Sequence, residues 1–377
     1  MRVLTFLHSF EPGGVERVAL RLVGRWRVMG VDAPLFMGRS DGPLRDEVTP
    51  DLAYTVPTQP RIGTAWWETL WMIATLPGHV RKLAPDLIFC AGNTYTIVAV
   101  ALRLILRRRC PPIVAKLSND LVRADLPAPA RLFWRLWLRV QARFIDRWIV
   151  MDAAILPDVA THLGAVARTV VADPAIDRLP VPAPTQPHAS GMRYVAVGRL
   201  VPQKDHATML AAFALAARPE DRLMIIGDGP LRARLDKATK RLGIAAQVVF
   251  AGHVPNAGAA MRDHDVLLLS SRYEGVPAVL IEALAAGLRV VATDCGPGVR
   301  ALLAGTGPLA PPGDPHAFAA AIAGPTAAPD ITAVRERMRA FTLDAAAQAY
   351  LEAFARTLAE CGRHSPDALT DRLEQAA

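Results

Sequence analysis

Two glutamates with seven residues between them, Glu274 and Glu282, stand in the stretch SSRYEGVPAVLIEALAAG. Glu282 is flanked by Val279, Leu280, Ile281, Ala283 and Leu284, a run that reads as an apolar helix. A carboxylate in such a helix is costly unless a donor meets it, and sugar hydroxyls are suitable donors, though the two also read as helix-surface glutamates. Gly275 lets the preceding loop open so that backbone N–H groups reach a ligand at the helix start. Upstream, VGRLVPQK places Arg199 and Lys204 just after a strand-like run. Two cations there suit a diphosphate, whose charge must be neutralised when it leaves, and they also read as solvated surface charges. Gly13 and Gly14 in EPGG read either as a backbone approach to a phosphate or as a tight strand-to-helix turn. The run IIGDGPL lacks the third glycine of a dinucleotide fingerprint, with Arg232 in its place, and reads as turn chemistry. Asp263–His264–Asp265 mimics a metal-binding Asp-x-Asp but opens an expected strand, away from the ligand-binding end, and reads as structural.

The elements that must carry these residues repeat one pattern. Val3 to Phe10 reads as a buried strand, followed by a helix with Val15, Val18, Ala19 and Leu22 on one face. PDLIFCAG, PPIVAKLS and DRWIVMD are further short apolar runs between helical segments. After a proline-rich break the alternation restarts with RYVAVGRL, DRLMIIGDG, QVVFAGHV, DVLLLSS and LRVVATDCG as strands. Such alternation predicts an α/β protein of two doubly wound, Rossmann-like domains whose parallel sheets present strand C-terminal ends to a cleft. The expected bounds are 1–180 for the first domain, 181–191 for the linker and 192–342 for the second domain. A helix near 343–361 is expected to return to the first domain, before a polar tail at 363–377.

Composition narrows the class. The 377 residues are 52% hydrophobic and 21% charged, as a globular protein requires. Cys90, Cys110, Cys295 and Cys361 lie far apart, against a disulfide framework or a zinc site and in favour of a reducing compartment. No apolar run approaches the roughly 18 residues of a membrane span, and the N-terminus does not read as a signal peptide.

With these motifs in place, the chain resembles the retaining glycosyltransferases of family 4, which have the GT-B fold. VAVGRLVPQKDHATMLAAFA, LMIIGDGPLRARL, VVFAGHV and EGVPAVLIEALAAGLRVVATDCGPG stand in the family's order and spacing. In the first half, PGGVERVALRL is similar to its glycine loop. The resemblance implies a transferase that moves a sugar from a nucleotide-diphosphate sugar to a hydroxyl of a lipid-linked or polysaccharide acceptor, in cell-surface glycan synthesis. Arg199 and Lys204 then bind the donor diphosphate, Glu282 the ribose, and Glu274 the donor sugar with backbone N–H groups near Gly275 and Val276. His253 and Val254 fall where the family packs the base, and Gly13 and Gly14 close on diphosphate and acceptor. The family needs no metal and no cofactor, the nucleotide-sugar being a substrate, and it implies no dedicated protein base. The chain departs from the family at KLSND, where Ser118, Asn119 or Asp120 takes the place of a sugar-contacting histidine. It departs again at Val276–Pro277, which replaces Phe-Gly, and the GVPAVLIEA form is similar to a branch using UDP-linked sugars. A nucleotide-sugar epimerase of similar architecture and a non-catalytic partner protein are the alternatives.

One stretch stands outside the donor motifs. Between Ala101 and Trp148 there are eleven Lys and Arg against three acids, a surplus equal to the +8 of the whole chain. Arg131, Arg135, Arg139, Arg143 and Arg147 recur every fourth residue in RLFWRLWLRVQARFIDRW. Read as one helix, it turns Phe133, Trp134, Trp137, Leu138, Val140, Phe144, Ile145 and Trp148 to the opposite side. That is a core helix with solvated arginines, or a surface for anionic lipid headgroups or a lipid diphosphate. No nucleic-acid motif accompanies the charge. A cytoplasmic protein, peripheral on the inner face of the inner membrane, is expected.

Overall fold

The computed structural model describes residues 1–11, 13–47, 51–60, 63–118, 121, 127–180, 191–254, 257–324 and 331–362. Two compact units partition it, Met1–Pro174 with the segment from Leu343 onward, and Ala175–Thr342.

The first unit is built on six parallel strands: β1 (Val3–Leu7), β2 (Leu35–Met37), β3 (Leu87–Cys90), β4 (Ile113–Leu117), β5 (Arg147–Val150) and β6 (Arg168–Val170). Their order is β2-β1-β3-β4-β5-β6. β1, β3, β4 and β5 are buried along their whole length, as expected of parallel strands covered on both faces. The helix Gly14–Val28 buries Ala19, Leu20, Leu22, Val23 and Trp26 against the sheet. β1 stops at Leu7, three residues before the expected end, so His8 to Phe10 belong to the loop at its C-terminal end.

The second unit repeats the plan with β7 (Arg193–Val197), β8 (Arg222–Ile226), β9 (Val248–Gly252), β10 (Val266–Leu269), β11 (Arg289–Thr293) and β12 (Leu309–Ala310). Its order is β12-β11-β10-β7-β8-β9 and every pairing is parallel. Read from β9, this is the Rossmann order, and the strand order reverses between β7 and β10. Asp265 directly precedes β10 and its carboxylate accepts the Arg193 N–H at 2.8 Å, so this aspartate fastens the N-terminal ends of two strands.

The first boundary expected at 180 moves to Pro174. Ala175 and Ile176 already donate to the Phe341 carbonyl at 3.0 and 3.3 Å, and Ile176 packs in the second unit's core. Most of the expected linker, 181–190, and the tail at 363–377 lie outside the described residues. The helix Leu343–Glu360 buries Ala347, Tyr350, Leu351, Phe354 and Leu358 in the first unit's core. Trp26 donates to the Ala347 carbonyl at 3.1 Å, and buried Lys116 pairs with Asp173, which also accepts from Tyr350.

The arginine stretch is not one helix. The helix Ala128–Ala142 ends at a turn in which Phe144 and Ile145 donate to the Gln141 carbonyl. Asp146 then accepts the Ile113 N–H and the Arg103 guanidinium, and the chain enters β5. Arg147 is therefore a buried strand residue, 3% exposed, bonded to Thr357, Thr169 and Glu360. The aromatic side is also corrected. The helix packs inward through a narrow stripe, Trp134, Leu138 and Gln141, with Ile145 beyond it. Leu132, Phe133, Leu136 and Val140 stay exposed, Phe133 at 75%, among exposed Arg135, Arg139 and Arg143.

Candidate active site

In an open parallel sheet, ligands bind beyond the strand C-termini where neighbouring strands send their connections to opposite sides. In the second unit that place is the β7–β10 pair. The loop after β7 carries Arg199 and Lys204, and the loop after β10 carries Ser270 to Gly275. Arg199 is exposed. Lys204 is half-buried, and its Nζ lies 2.5 Å from Oε1 of Glu274. The pair is thus brought together from positions 70 residues apart.

The two loops are laced together by one backbone bond and two from the side chains of Gln203 and Ser270. Arg272 N–H donates to the Gln203 carbonyl at 2.8 Å, the Gln203 amide donates to the Tyr273 carbonyl at 3.0 Å, and Ser270 Oγ donates to the Lys204 carbonyl at 2.8 Å. Asp205, directly after Lys204, takes a left-handed conformation with φ of +43°, which aspartate tolerates better than most residues. Its carboxylate caps the helix His206–Ala216 through Thr208 and pairs with Arg272 at 3.1 Å. His206 is buried, and burial lowers its imidazole to about 4, so it adds no cation beside Lys204 near neutral pH.

Close backbone approaches hold both loops. Gly227 has φ of +131°, and a Cβ there would stand 2.1 Å from the Gly198 carbonyl oxygen, so only glycine lets β8 support the Arg199 loop. At Gly296 a Cβ would stand 2.3 Å from the Glu274 carbonyl oxygen. Glu274 N–H donates to the Cys295 carbonyl at 2.9 Å. The Cys295 thiol is pushed up to about 11, mainly by burial, and stays protonated.

The helix Ala278–Ala286 begins after Pro277, which has no N–H to donate and so fits a helix start. It buries Leu280, Ile281, Ala283, Leu284 and Ala285 and leaves Glu282 half-exposed. Gly275 is exposed and Val276 packs against the core. His253 and Val254 follow β9, His253 exposed and Val254 partly buried. Chemically, this end of the sheet offers cations for an anion, a carboxylate for hydroxyl donors, and a helix N-terminus.

In the first unit the strand order reverses between β1 and β3. Gly13 caps the helix Gly14–Val28 in extended conformation, and Gly14 is its exposed first residue. Nearby stands a cluster that the sequence patterns did not single out. Tyr95 donates to Glu16, and its ring stacks at 4.7 Å on His8. His8 Nδ1 lies 3.9 Å from Glu68, which Arg39 holds at 3.0 Å. Burial lowers His8 to about 4, so the imidazole is neutral near neutral pH. Ser118 exchanges two hydrogen bonds with Asn93, at 2.9 and 3.2 Å, joining the ends of β4 and β3. Asn119 and Asp120 lie outside the described residues. The signal for this cluster was the polar residue ending each apolar run, such as His8 after VLTFL and Asn93 after LIFCAG.

Two family models match the chain in tandem. One is described as Glycosyltransferase Family 4 and covers residues 12–178, the other as Glycosyl transferases group 1 and covers 191–324. The chain is 38% identical over 95 residues to the Vi polysaccharide biosynthesis protein VipC/TviE of Salmonella typhi, covering 25% of this chain and 16% of that protein. It is 34% identical over 108 residues to the N-acetylgalactosamine-N,N'-diacetylbacillosaminyl-diphospho-undecaprenol 4-alpha-N-acetylgalactosaminyltransferase of Campylobacter jejuni, covering 29% of each. The chain thus spans less than a third of the length of these curated relatives. Among solved structures it is similar to Anabaena HepE in complex with UDP, with a TM-score of 0.70, 20% identity and coverage of 100% of this chain and 99% of that one.

Proposed function

We propose a reaction from one premise: the chain belongs to the family 4 glycosyltransferases. It moves a sugar, with retention, from a UDP-linked donor to a hydroxyl of a lipid-linked or polysaccharide acceptor. The observation that carries this reading is the Lys204–Glu274 pair where the strand order of the second sheet reverses, with Glu282 eight residues further on.

Lys204 and Arg199 neutralise the charge that develops on the leaving diphosphate, which is where fixed charges accelerate a transfer most. Glu274 accepts from hydroxyls of the donor sugar, with backbone N–H groups of Gly275 and Val276 beside it. Glu282 accepts from the ribose, and His253 and Val254 flank the base. A phosphate oxygen takes the acceptor's proton on the leaving-group face. The first unit's cluster around Gly13, Gly14, His8 and Ser118 serves the acceptor. The Campylobacter relative, whose name places it on an undecaprenol-linked saccharide, supports a lipid-linked acceptor, and the UDP in the HepE structure supports the donor base. An epimerase or a non-catalytic partner is not favoured by any of these relatives. Release of UDP from a nucleotide-sugar that rises on adding membrane extract tests the reading, and donor turnover that leaves the sugar on the nucleotide would overturn it.

The exposed face of the helix Ala128–Ala142 is assigned to an anionic membrane surface. Among the described residues no helix is long and apolar enough to cross a membrane. Here Leu132, Phe133 and Leu136 are exposed between arginines, the composition of a face that lies in the headgroup layer. Exposed Arg107, Arg108 and Arg109 follow the neighbouring helix Thr96–Leu106, itself exposing Ile97, Leu104 and Ile105. Each such arginine contributes about 1 kcal/mol on an anionic surface, so replacing Arg135, Arg139 and Arg143 together with glutamine should cost about two orders of magnitude in vesicle partitioning. Phe133→Asp should weaken binding further and leave UDP affinity intact. Co-sedimentation with phosphatidylglycerol vesicles measures this, and unchanged pelleting of both variants would leave the arginines merely solvated.

A further inference from the structure

Glu274 is held through one of its two carboxylate oxygens. Oε1 accepts from Lys204 Nζ at 2.5 Å and from Ser271 Oγ at 2.6 Å. Oε2 has no protein partner among the described residues and is the oxygen left for a ligand hydroxyl. Ser271 is wholly buried, and its carbonyl accepts from Thr293 Oγ1 at 2.5 Å, which fastens it to the end of β11. The Lys204 backbone is fixed by Ser270, while its side chain remains half-exposed.

An ammonium shared between one carboxylate and an incoming diphosphate follows the larger charge. The donor therefore draws Lys204 away from Glu274 as it binds. We propose that Ser271 is the positioning residue of the donor-sugar site: when Lys204 turns to the diphosphate, the Ser271 hydroxyl alone keeps Glu274 aimed, with Oε2 towards the sugar. The inference rests on the donor reading above and adds a residue that does not itself touch the donor. It also gives the Lys204–Glu274 pair a second role, as an ion pair that the donor diphosphate competes with.

The test compares Ser271→Ala and Ser271→Thr in the full chain, using UDP-glucose and UDP-N-acetylglucosamine as donor probes and UDP alone as the binding control. A carboxylate that loses one of its charge-assisted hydrogen bonds should cost about tenfold in kcat. Ser271→Ala should thus turn over about tenfold more slowly with UDP affinity within twofold of wild type, and Ser271→Thr, which keeps the hydroxyl, should recover most of the rate. Wild-type kcat in Ser271→Ala would overturn the assignment. So would a parallel loss of UDP binding, which would make Ser271 a plain structural residue. If wild type itself releases no UDP from either probe, the donor reading fails and Ser271 falls with it.

Discussion

Lys204→Ala is expected to lower kcat by about 10²- to 10³-fold at saturating donor, the scale of losing one fixed charge aimed at a developing anion. The geometry supports a loss in the transition state beyond one in binding. Lys204 sits on a loop laced to its neighbour by three hydrogen bonds, so its ammonium is delivered to one place at little entropic cost. The buried His206 two residues on is neutral and cannot substitute for it. Arg199, exposed on the same loop, keeps part of the donor affinity, so donor KM should rise less than kcat falls. Lys204→Arg should recover only part of the rate, because a planar guanidinium does not occupy the position of a compact ammonium. Steady-state kinetics at varied donor measures the split. Turnover within threefold of wild type would make Lys204 only the counter-ion of Glu274.

Glu274→Gln should change two quantities in opposite directions. Turnover should fall by about 10- to 100-fold, because a neutral amide replaces a carboxylate whose bonds to hydroxyls are charge-assisted. Affinity for UDP, which has no sugar, should rise a few-fold. Lys204 is paired with Glu274 at 2.5 Å, and the amide weakens this competitor for the diphosphate. The side chains are nearly isosteric and Ser271 can still donate to the amide oxygen, so the loop should stay in place. Calorimetric titration with UDP beside a turnover assay reads both signs. Weaker UDP binding in Glu274→Gln would contradict the competition.

The strands and charged loops of the proposed donor site were legible because their signals are local. A strand, a loop with one or two charges and a helix lie within about twenty residues of each other, and the periodicity of VAVGRLVPQK and EGVPAVLIEA places each charge at a strand or helix end. What sequence could not supply was the meeting of residues far apart. The pairing of Lys204 with Glu274, and the hydroxyl of Ser271 on the same oxygen, depend on β7 and β10 becoming neighbours. In the sequence Ser271 is only the polar end of VLLLSS, a residue type that carries no motif by itself. The arginine stretch misled for a related reason. Its spacing of four continues through Arg147, but Asp146 meets Ile113 and Arg103 and pulls the chain into the sheet, a tertiary contact that overrides local period. The apolar spacing implies a wide inward side, but the helix meets its unit through a narrow stripe that admits Gln141 and leaves Phe133 outside. In the first unit, His8, Tyr95, Asn93 and Glu16 come from separate segments, and their types carry no motif until the fold gathers them.

The central claim, that the Lys204–Glu274 end of the second sheet takes a nucleotide-diphosphate sugar, is tested most directly by thermal unfolding of wild type and Lys204→Ala against a panel of nucleotide-sugars. A ligand that binds only the folded chain at one hundred times its Kd stabilises it by about 2.7 kcal/mol, a shift of roughly 5–11 °C for units of this size. At least one UDP-sugar should raise the wild-type transition by that amount, and the shift should be strongly reduced in Lys204→Ala. No shift with any nucleotide-sugar, or an equal shift in both proteins, would contradict the account.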